Sequence, residues 1–420
     1  MNMINVRRLA VMTFLGAGML SDISAQDFSL QADTLNEARL PAQWDLQSCI
    51  DYALEQNITI RKNRVTAEST QIDVKTAKAA LFPSLSFSTS QQVVNRPYQE
   101  TSSRVSGSEI ISSNSKTSYN GNYGLNASWT IYNGSKRLKT LKQERLNNQV
   151  AELDVATSEN TIKESIAQIY IQILYAAESV RVNENTLQVS IAQRDRGQEL
   201  LNAGSIAKSD FAQLEAQVST DRYQLVTAQA TVQDYKLQLK QLLELDGENE
   251  MNVYLPNLSD ENVLAPLPAK KDVYVSALAI RPEIEASKLN VEASELGIDI
   301  AKSSYFPTVS LSAGIGTNHT SGSDFTFGEQ VKNGWNNSIG LSVSVPIFNN
   351  RQTKSAVQKA RLQRETNMLS LLDEQKALYK TIESLWLDAN SAQQRYAAAN
   401  EKLRSTQISY DLISEQFNLG

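Results

Sequence analysis

The chain repeats one large unit, and this limits its fold more than any other feature. Ala53-Leu54, Ala77-Lys78 and Phe82-Pro83-Ser84-Leu85 return as Ala277-Leu278, Ala301-Lys302 and Phe306-Pro307-Thr308-Val309, each at an offset of 224. A second block returns at an offset of 216: Gly124-Leu125 as Gly340-Leu341, Ile131-Tyr132-Asn133 as Ile347-Phe348-Asn349, and Leu201-Asn202-Ala203-Gly204 as Phe417-Asn418-Leu419-Gly420. The drop between the two offsets puts a shorter loop between the strands of the second copy. A long period repeated once means duplication of a large unit, not a solenoid of short repeats.

Each copy reads as helix, strand, loop, strand, helix. In the first, residues 45–80 are helix-forming as far as the Phe82-Pro83 break. Strands are expected at about 84–94 and 119–132, and in the second copy at about 307–317 and 336–347. Leu85 and Phe87 alternate with Ser86 and Ser88, and Tyr123, Leu125, Ala127, Trp129 and Ile131 alternate with Asn and Ser positions. Period two with one apolar and one small polar face means different surroundings on each side. The serine-rich stretch between Asn95 and Thr117 reads as a loop. An ordinary half-buried sheet shows the same alternation. An export signal, strand lengths near a tilted membrane span, and Trp129, Tyr132 and Trp335 near strand ends favour a membrane barrel.

The export signal is residues 1–25: Arg7 and Arg8, an apolar run from Leu9 to Leu20, and Ala25 before a cleavage point. An uncleaved anchor is the alternative. The net charge of −6 argues against nucleic-acid binding and is compatible with a cation-preferring lumen. One cysteine, Cys49, excludes an internal disulfide. No later run is apolar over the ~20 residues a membrane helix needs, so any crossing must use strands. Four strands cannot close a spanning barrel, which starts at about eight, and an open edge in lipid leaves peptide groups unpaired. Either the sheet is not in a membrane or several chains share one ring.

Helical pattern resumes at about Ser135 and runs to about Leu201, roughly 100 Å at 1.5 Å per residue. The return helix, about 206–245, carries a heptad: Phe211, Val218, Leu225, Val232 and Leu239, with Leu214, Asp221, Ala228, Tyr235 and Leu242 three residues after each. This is a coiled-coil seam interrupted at Asp221. Gly204 marks a hairpin tip, with Ser209 or Asp210 available to cap the return helix. Residues 247–271 read as a linker between the first repeat, 26–246, and the second, 272–420.

Strand pairs between very long helices, the duplication, Phe-Pro before each odd strand, the Arg281-Pro282-Glu283 stretch and the Asn-Ala-Gly tip resemble the TolC-like outer-membrane factor family across residues 44–420. The resemblance implies an α+β membrane protein with four β-strands per chain in an oligomeric outer-membrane barrel. Its coiled-coil helical hairpins would form a periplasmic α-barrel. It further implies a homotrimer in outer-membrane lipid, a periplasmic adaptor (membrane fusion) protein, and an inner-membrane RND, ABC or MFS transporter. By position, Gly204, Ser205 and Gly420 match the adaptor-docking tips, and Asp210 matches an acid that helps hold the periplasmic gate closed. A plain N-cap is the alternative for Asp210. Phe417 stands where the family often has Tyr, so a phenolic hydroxyl is missing from the usual latch. The first copy continues from Ser205 to about Asp246 without a second-copy counterpart. The second repeat is therefore expected to be cut short, with the family's acidic constriction beyond Gly420.

Catalytic chemistry finds no footing. His319, the lone histidine, falls in the second inter-strand loop and cannot build a zinc site or a nucleophile pair with the distant Cys49. Asp51 and Glu55 lie at i, i+4 on a solvated helix face. No cofactor, metal site or nucleic-acid partner is expected. The rival to a passive exit duct for small molecules or polypeptides is a secreted or periplasmic coiled-coil scaffold carrying a small soluble sheet.

Overall fold

The computed structural model describes residues 41–98, 102–106, 109–113, 116–246, 251–256, 263–323 and 325–419; the segment read as an export signal and Gly420 lie outside them. In the first copy α1 (Leu46–Gln56) and α2 (Ile58–Ala79) lead into β1 (Ser84–Asn95). A small ladder, β2 (Ser102–Ser106) with β3 (Glu109–Ser113), precedes β4 (Thr117–Asn133), α3 (Lys136–Asn202) and α4 (Lys208–Leu242). The second copy runs α5 (Lys270–Ile280), α6 (Pro282–Ser303), β5 (Thr308–Thr320), α7 (Phe327–Asn333), β6 (Asn336–Ser344) and α8 (Gln352–Leu419). All four ends of α5 and α6 are displaced from those of α1 and α2 by the repeat offset of 224.

The main sheet is antiparallel throughout, in the order β1-β4-β5-β6. Ser84 lies opposite Ser128, Asn133 opposite Thr308, and Thr308 opposite Ser344. The strand ends that join α2, α3, α6 and α8 therefore gather at one end of the sheet. The helices leave from that end in matching order, with α3 packed on α2 and on α6, and α6 packed on α8.

Three sequence expectations are corrected here. Residues 45–80 are not one helix: Asn57, at ψ 124°, divides them. Its Oδ1 accepts from Thr59 N at 2.9 Å and Ile60 N at 3.3 Å, and its Nδ2 donates to Leu242 O at 3.0 Å. A buried Asn that caps one helix and grips the end of another stabilises a break more than helix propensity opposes it. The equivalent break in the second copy is at Arg281, where Pro282 starts α6. Second, the stretch between Asn95 and Thr117 is not all loop, because β2 and β3 pair within it from Ser102–Ser113 to Ser106–Glu109. Third, β6 ends at Ser344, although apolar alternation runs on toward 347 and Pro346 follows.

Helix length and burial agree with a coiled-coil hairpin. The α3 helix has 67 residues, and every heptad position of α4 is buried or half-buried against it, Asp221 included, whose carboxylate accepts from Gln217 at 2.9 Å. The main core sits partway along the helices, where Cys49 and Ala53 of α1, Ile60 of α2, Ile166 and Ile173 of α3 and Leu239 of α4 meet. Trp44 closes it by pairing with Val253, giving its N–H to Asn252 O and taking that of Tyr254, both at 2.8 Å. Parts of the stretch read as a linker are therefore fixed: Trp386 donates to Pro268 O at 3.0 Å, and Gln393 to Val263 O and Ala265 O at 2.9 and 2.8 Å. No described helix is long and apolar enough to cross a membrane.

Candidate functional site

The feature with functional chemistry is the sheet itself, because its two faces differ. Partners in the ladders keep odd residues opposite odd ones: Leu85 with Ala127, Leu125 with Ile315, Leu311 with Leu341. One face therefore collects Leu, Ile, Val, Phe, Tyr and Trp side chains, most of them exposed. Leu85, Phe87, Ile339 and Leu341 are each at least 65% open, a state that water does not favour on a face this large.

The even face carries Ser, Thr, Asn and Gly with Gln92 and Val94, and no Asp, Glu, Lys or Arg lies in any of the four strands. Its side chains bond across strands: Ser84 Oγ to Ser128 Oγ at 2.8 Å, Asn126 Nδ2 to Ser88 Oγ and Asn122 Nδ2 to Ser90 Oγ at 3.3 Å each. Hydroxyls and amides keep such a surface wet without fixing charge. The net negative charge that made a cation-preferring lumen conceivable is thus carried elsewhere than on this wall.

At the helix end the ladder slips. Thr130 lies opposite Ser310, but Tyr132 lies opposite Val309, so Ile131 is the extra residue of a bulge. The simple alternation read from sequence fails here, and Tyr132 joins the apolar face. Arg137, on the first turn of α3, donates to the Thr130 carbonyl and, at 3.5 Å, to Phe82 O; Trp129 Nε1 donates to Leu81 O at 2.8 Å. These bonds tie the end of β4 to the turn before β1. The strand-to-helix turns use left-handed backbone in both copies, Gly134 and Ser135 (φ 66° and 62°) and their counterparts Asn350 and Arg351 (φ 49° and 64°). At the other end His319 belongs to β5, not to the loop where the sequence placed it. Its ring stacks on Tyr123 at 5.9 Å, meets Phe327 of α7 edge-on at 5.1 Å and lies over Gly121, where a Cβ would overlap it. It packs the start of the loop after β5 against the sheet; no metal-binding cluster occurs among the described residues.

The hairpin tip is far along α3. Gly204 at φ 74° donates to Leu201 O at 2.9 Å and Ser205 N to Leu200 O at 2.8 Å, a glycine-terminated helix end that leaves both residues exposed. Asp210 acts locally within the chain: its Oδ2 takes Ala207 N at 3.3 Å and its Oδ1 the Ser209 hydroxyl at 3.4 Å. The structure does not bring Gly204, Ser205 and Asp210 together with strand residues. The bulge and Arg137 escaped sequence reading; the only signal was a basic residue four positions after Asn133-Gly134. Cys49 is fully enclosed, and burial pushes its thiol up to about 12, which removes it as a nucleophile.

Comparison with known proteins agrees with this geometry. The family model described as outer membrane efflux protein matches residues 49–244 and 273–420. The outer membrane efflux protein BepC of Brucella suis is 25% identical over 264 residues, covering 62% of this chain and 55% of BepC. The outer membrane protein TolC of Escherichia coli is 24% identical over 310 residues, covering 70% of this chain and 60% of TolC. The chain thus spans between half and two-thirds of the length of these relatives. The crystal structure of VceC from Vibrio cholerae matches with a TM-score of 0.72 at 17% identity, covering 89% of this chain and 86% of VceC, a likeness of fold.

Proposed function

Since the chain belongs to the outer membrane efflux protein family, whose members are outer-membrane transport ducts and not enzymes, we propose that it is one protomer of a homotrimeric exit duct. Small molecules or polypeptides delivered by an inner-membrane RND, ABC or MFS transporter would pass through it across periplasm and outer membrane. The observation that carries this reading is the two-faced sheet whose edges, β1 and β6, are unpaired among the described residues. Each unpaired peptide group in hydrocarbon costs several kcal/mol, so the apolar face can enter lipid only in a closed ring. Three chains bring twelve strands, the apolar face outward against lipid and the uncharged polar face toward the lumen. The helices continue the tube into the periplasm.

At the far end the exposed tip at Gly204 and Ser205, with Gly420 at the equivalent position of the second copy, is the proposed docking point for a periplasmic adaptor. Asp210 beside it is the proposed gate residue, exchanging its bond to Ala207 for one to a neighbouring helix in the closed state. A coiled-coil scaffold would have no use for so large an apolar face.

Extraction in mild detergent followed by native mass measurement tests the reading. Three chains per particle, recovered from outer membrane, is the expected result; a soluble single chain in the periplasmic fraction overturns it.

A further inference from the structure

The connection between β5 and β6 folds back onto the sheet, and it does so on the apolar face. Thr317 and His319 belong to that face, opposite Tyr123 and Gly121. The Thr317 hydroxyl donates to Val331 O at 2.7 Å, and Phe327 meets the His319 ring edge-on at 5.1 Å. Gln330 fastens the same short helix to the end of β5, its Oε1 accepting from Thr320 N at 2.8 Å. These contacts turn Gln330 and Val331 of α7 toward the sheet, where both are half-buried. Gly328, Glu329 and Lys332 stay exposed on the outward side.

We infer that α7 lies outside the barrel, in the headgroup layer of the outer leaflet, as a lipid-bound collar at the top of the apolar wall. The inference rests on the duct proposed above and assigns it a lipid contact. A helix laid on the lipid-facing side of a barrel sits in hydrocarbon, at its boundary or above it. Exposed Glu329 and Lys332 exclude hydrocarbon, where an ionised side chain is expensive.

Two independent observations choose the boundary. The apolar face changes character at the level of α7: Leu125 and Ile315 lie opposite each other below it, whereas Gln91, Gly121 and His319 stand abreast beside it. The height also fits. Thr317 follows Phe306, at the helix end of the wall, by eleven residues. At about 3.3 Å per residue and a tilt of about 40° they rise about 28 Å, close to the ~25 Å apolar band of an outer-membrane barrel. Phe325 and Trp335, 48% and 57% exposed, flank the helix. In a headgroup layer these rings can sink below the phosphates while Lys332 extends its ammonium to them, an arrangement that water alone does not favour.

Nitroxide labels read this placement. Gly328→Cys and Lys332→Cys carry a label on the outward side of α7, and a Cβ at Gly328 meets nothing within 4 Å. Ile339→Cys, 79% exposed on the apolar face, and Ser205→Cys at the hairpin tip serve as references. Each full-length variant is reconstituted in vesicles of phosphatidylethanolamine and phosphatidylglycerol; Cys49 is enclosed and takes no label. Relaxation of the label is measured with oxygen, which concentrates in hydrocarbon, with a soluble nickel chelate, and with a nickel chelate tethered to a lipid headgroup. Oxygen is expected to act at position 339 and the soluble chelate at position 205. The tethered chelate is expected to relax the labels at 328 and 332 and to leave 205 unchanged; either α7 variant suffices if the other does not assemble. A response on α7 to the soluble chelate alone, as at 205, or to oxygen alone, as at 339, overturns the collar and leaves the duct standing. A label at 339 that meets the soluble chelate as freely as one at 205 takes the apolar face out of lipid and overturns the duct reading itself.

Discussion

The helices α1 and α5 occupy the same place in the two copies, yet one is buried and the other is not. In α1, Cys49 and Ala53 are wholly enclosed, because α3 and α4 close over them and Trp44 seals the end. In α5 no residue is buried. It meets α8 through Lys270, which pairs with Glu383 at 3.0 Å and sits 4.7 Å above the Trp386 ring, and through Tyr274 edge-on to Tyr379. The backbone of each copy follows from local pattern, since the helix ends coincide under one offset. Burial follows from which element returns to cover the helix. Within the described residues α1 lies under α3 and α4, whereas α5 meets α8.

The largest test of that inequality removes volume. Ile166→Ala, at a fully enclosed site, is expected to cost about 2–5 kcal/mol in chemical unfolding. A loss within about 0.5 kcal/mol would show that this core does not hold the first copy together. Next come the turns: Gly134→Ala adds a Cβ 2.8 Å from Ser303 O at φ 66° and should lower stability by more than about 1 kcal/mol, while Asn350→Gly, at φ 49° in the equivalent turn, should not lower it. The helix breaks give a smaller contrast. Asn57→Ala loses a cap and a buried bond, about 1–2 kcal/mol, but Arg281→Ala should change little, because Pro282 already fixes its break.

The smallest effect is in pH. The Cys49 thiol titrates near 12 in the folded chain against 9.0 as the ordinary value, so its neutral form is favoured by folding. That contribution is complete below about pH 9 and is lost as pH rises toward 12, because the unfolded chain releases its proton first. Melting temperature should fall more steeply over that range in the parent than in Cys49→Ala. A maleimide should leave Cys49 unmodified in the native protein and label it once the chain is unfolded.

Much of this architecture was legible because repeats and periodicity are local. The offset between Phe82-Pro83 and Phe306-Pro307 located both incoming strands, and the heptad from Phe211 to Leu239 identified the seam face of α4. What escaped depends on distant partners. Asn57 breaks a helix partly by holding Leu242 O, 185 residues away. The bulge at Ile131 arises where β4 meets Val309 and Arg137 takes up the Thr130 carbonyl. His319 follows two polar residues that read as loop, but Tyr123 and Phe327 hold it in the strand. At the proposed tip, Gly204 was readable from its helix-ending signal, while the local bonds of Asp210 needed coordinates.

The absence of ionised side chains from the four described strands has a consequence for traffic. Fixed charges on a narrow wall gather counter-ions over a distance of about 8 Å at physiological salt and turn a conduit into a sieve for sign. Hydroxyl and amide dipoles can turn to face either an anion or a cation at similar cost. In the proposed duct, molecules would be sorted along this stretch by girth and by how readily they keep their hydration shells, and throughput would be nearly indifferent to ionic strength.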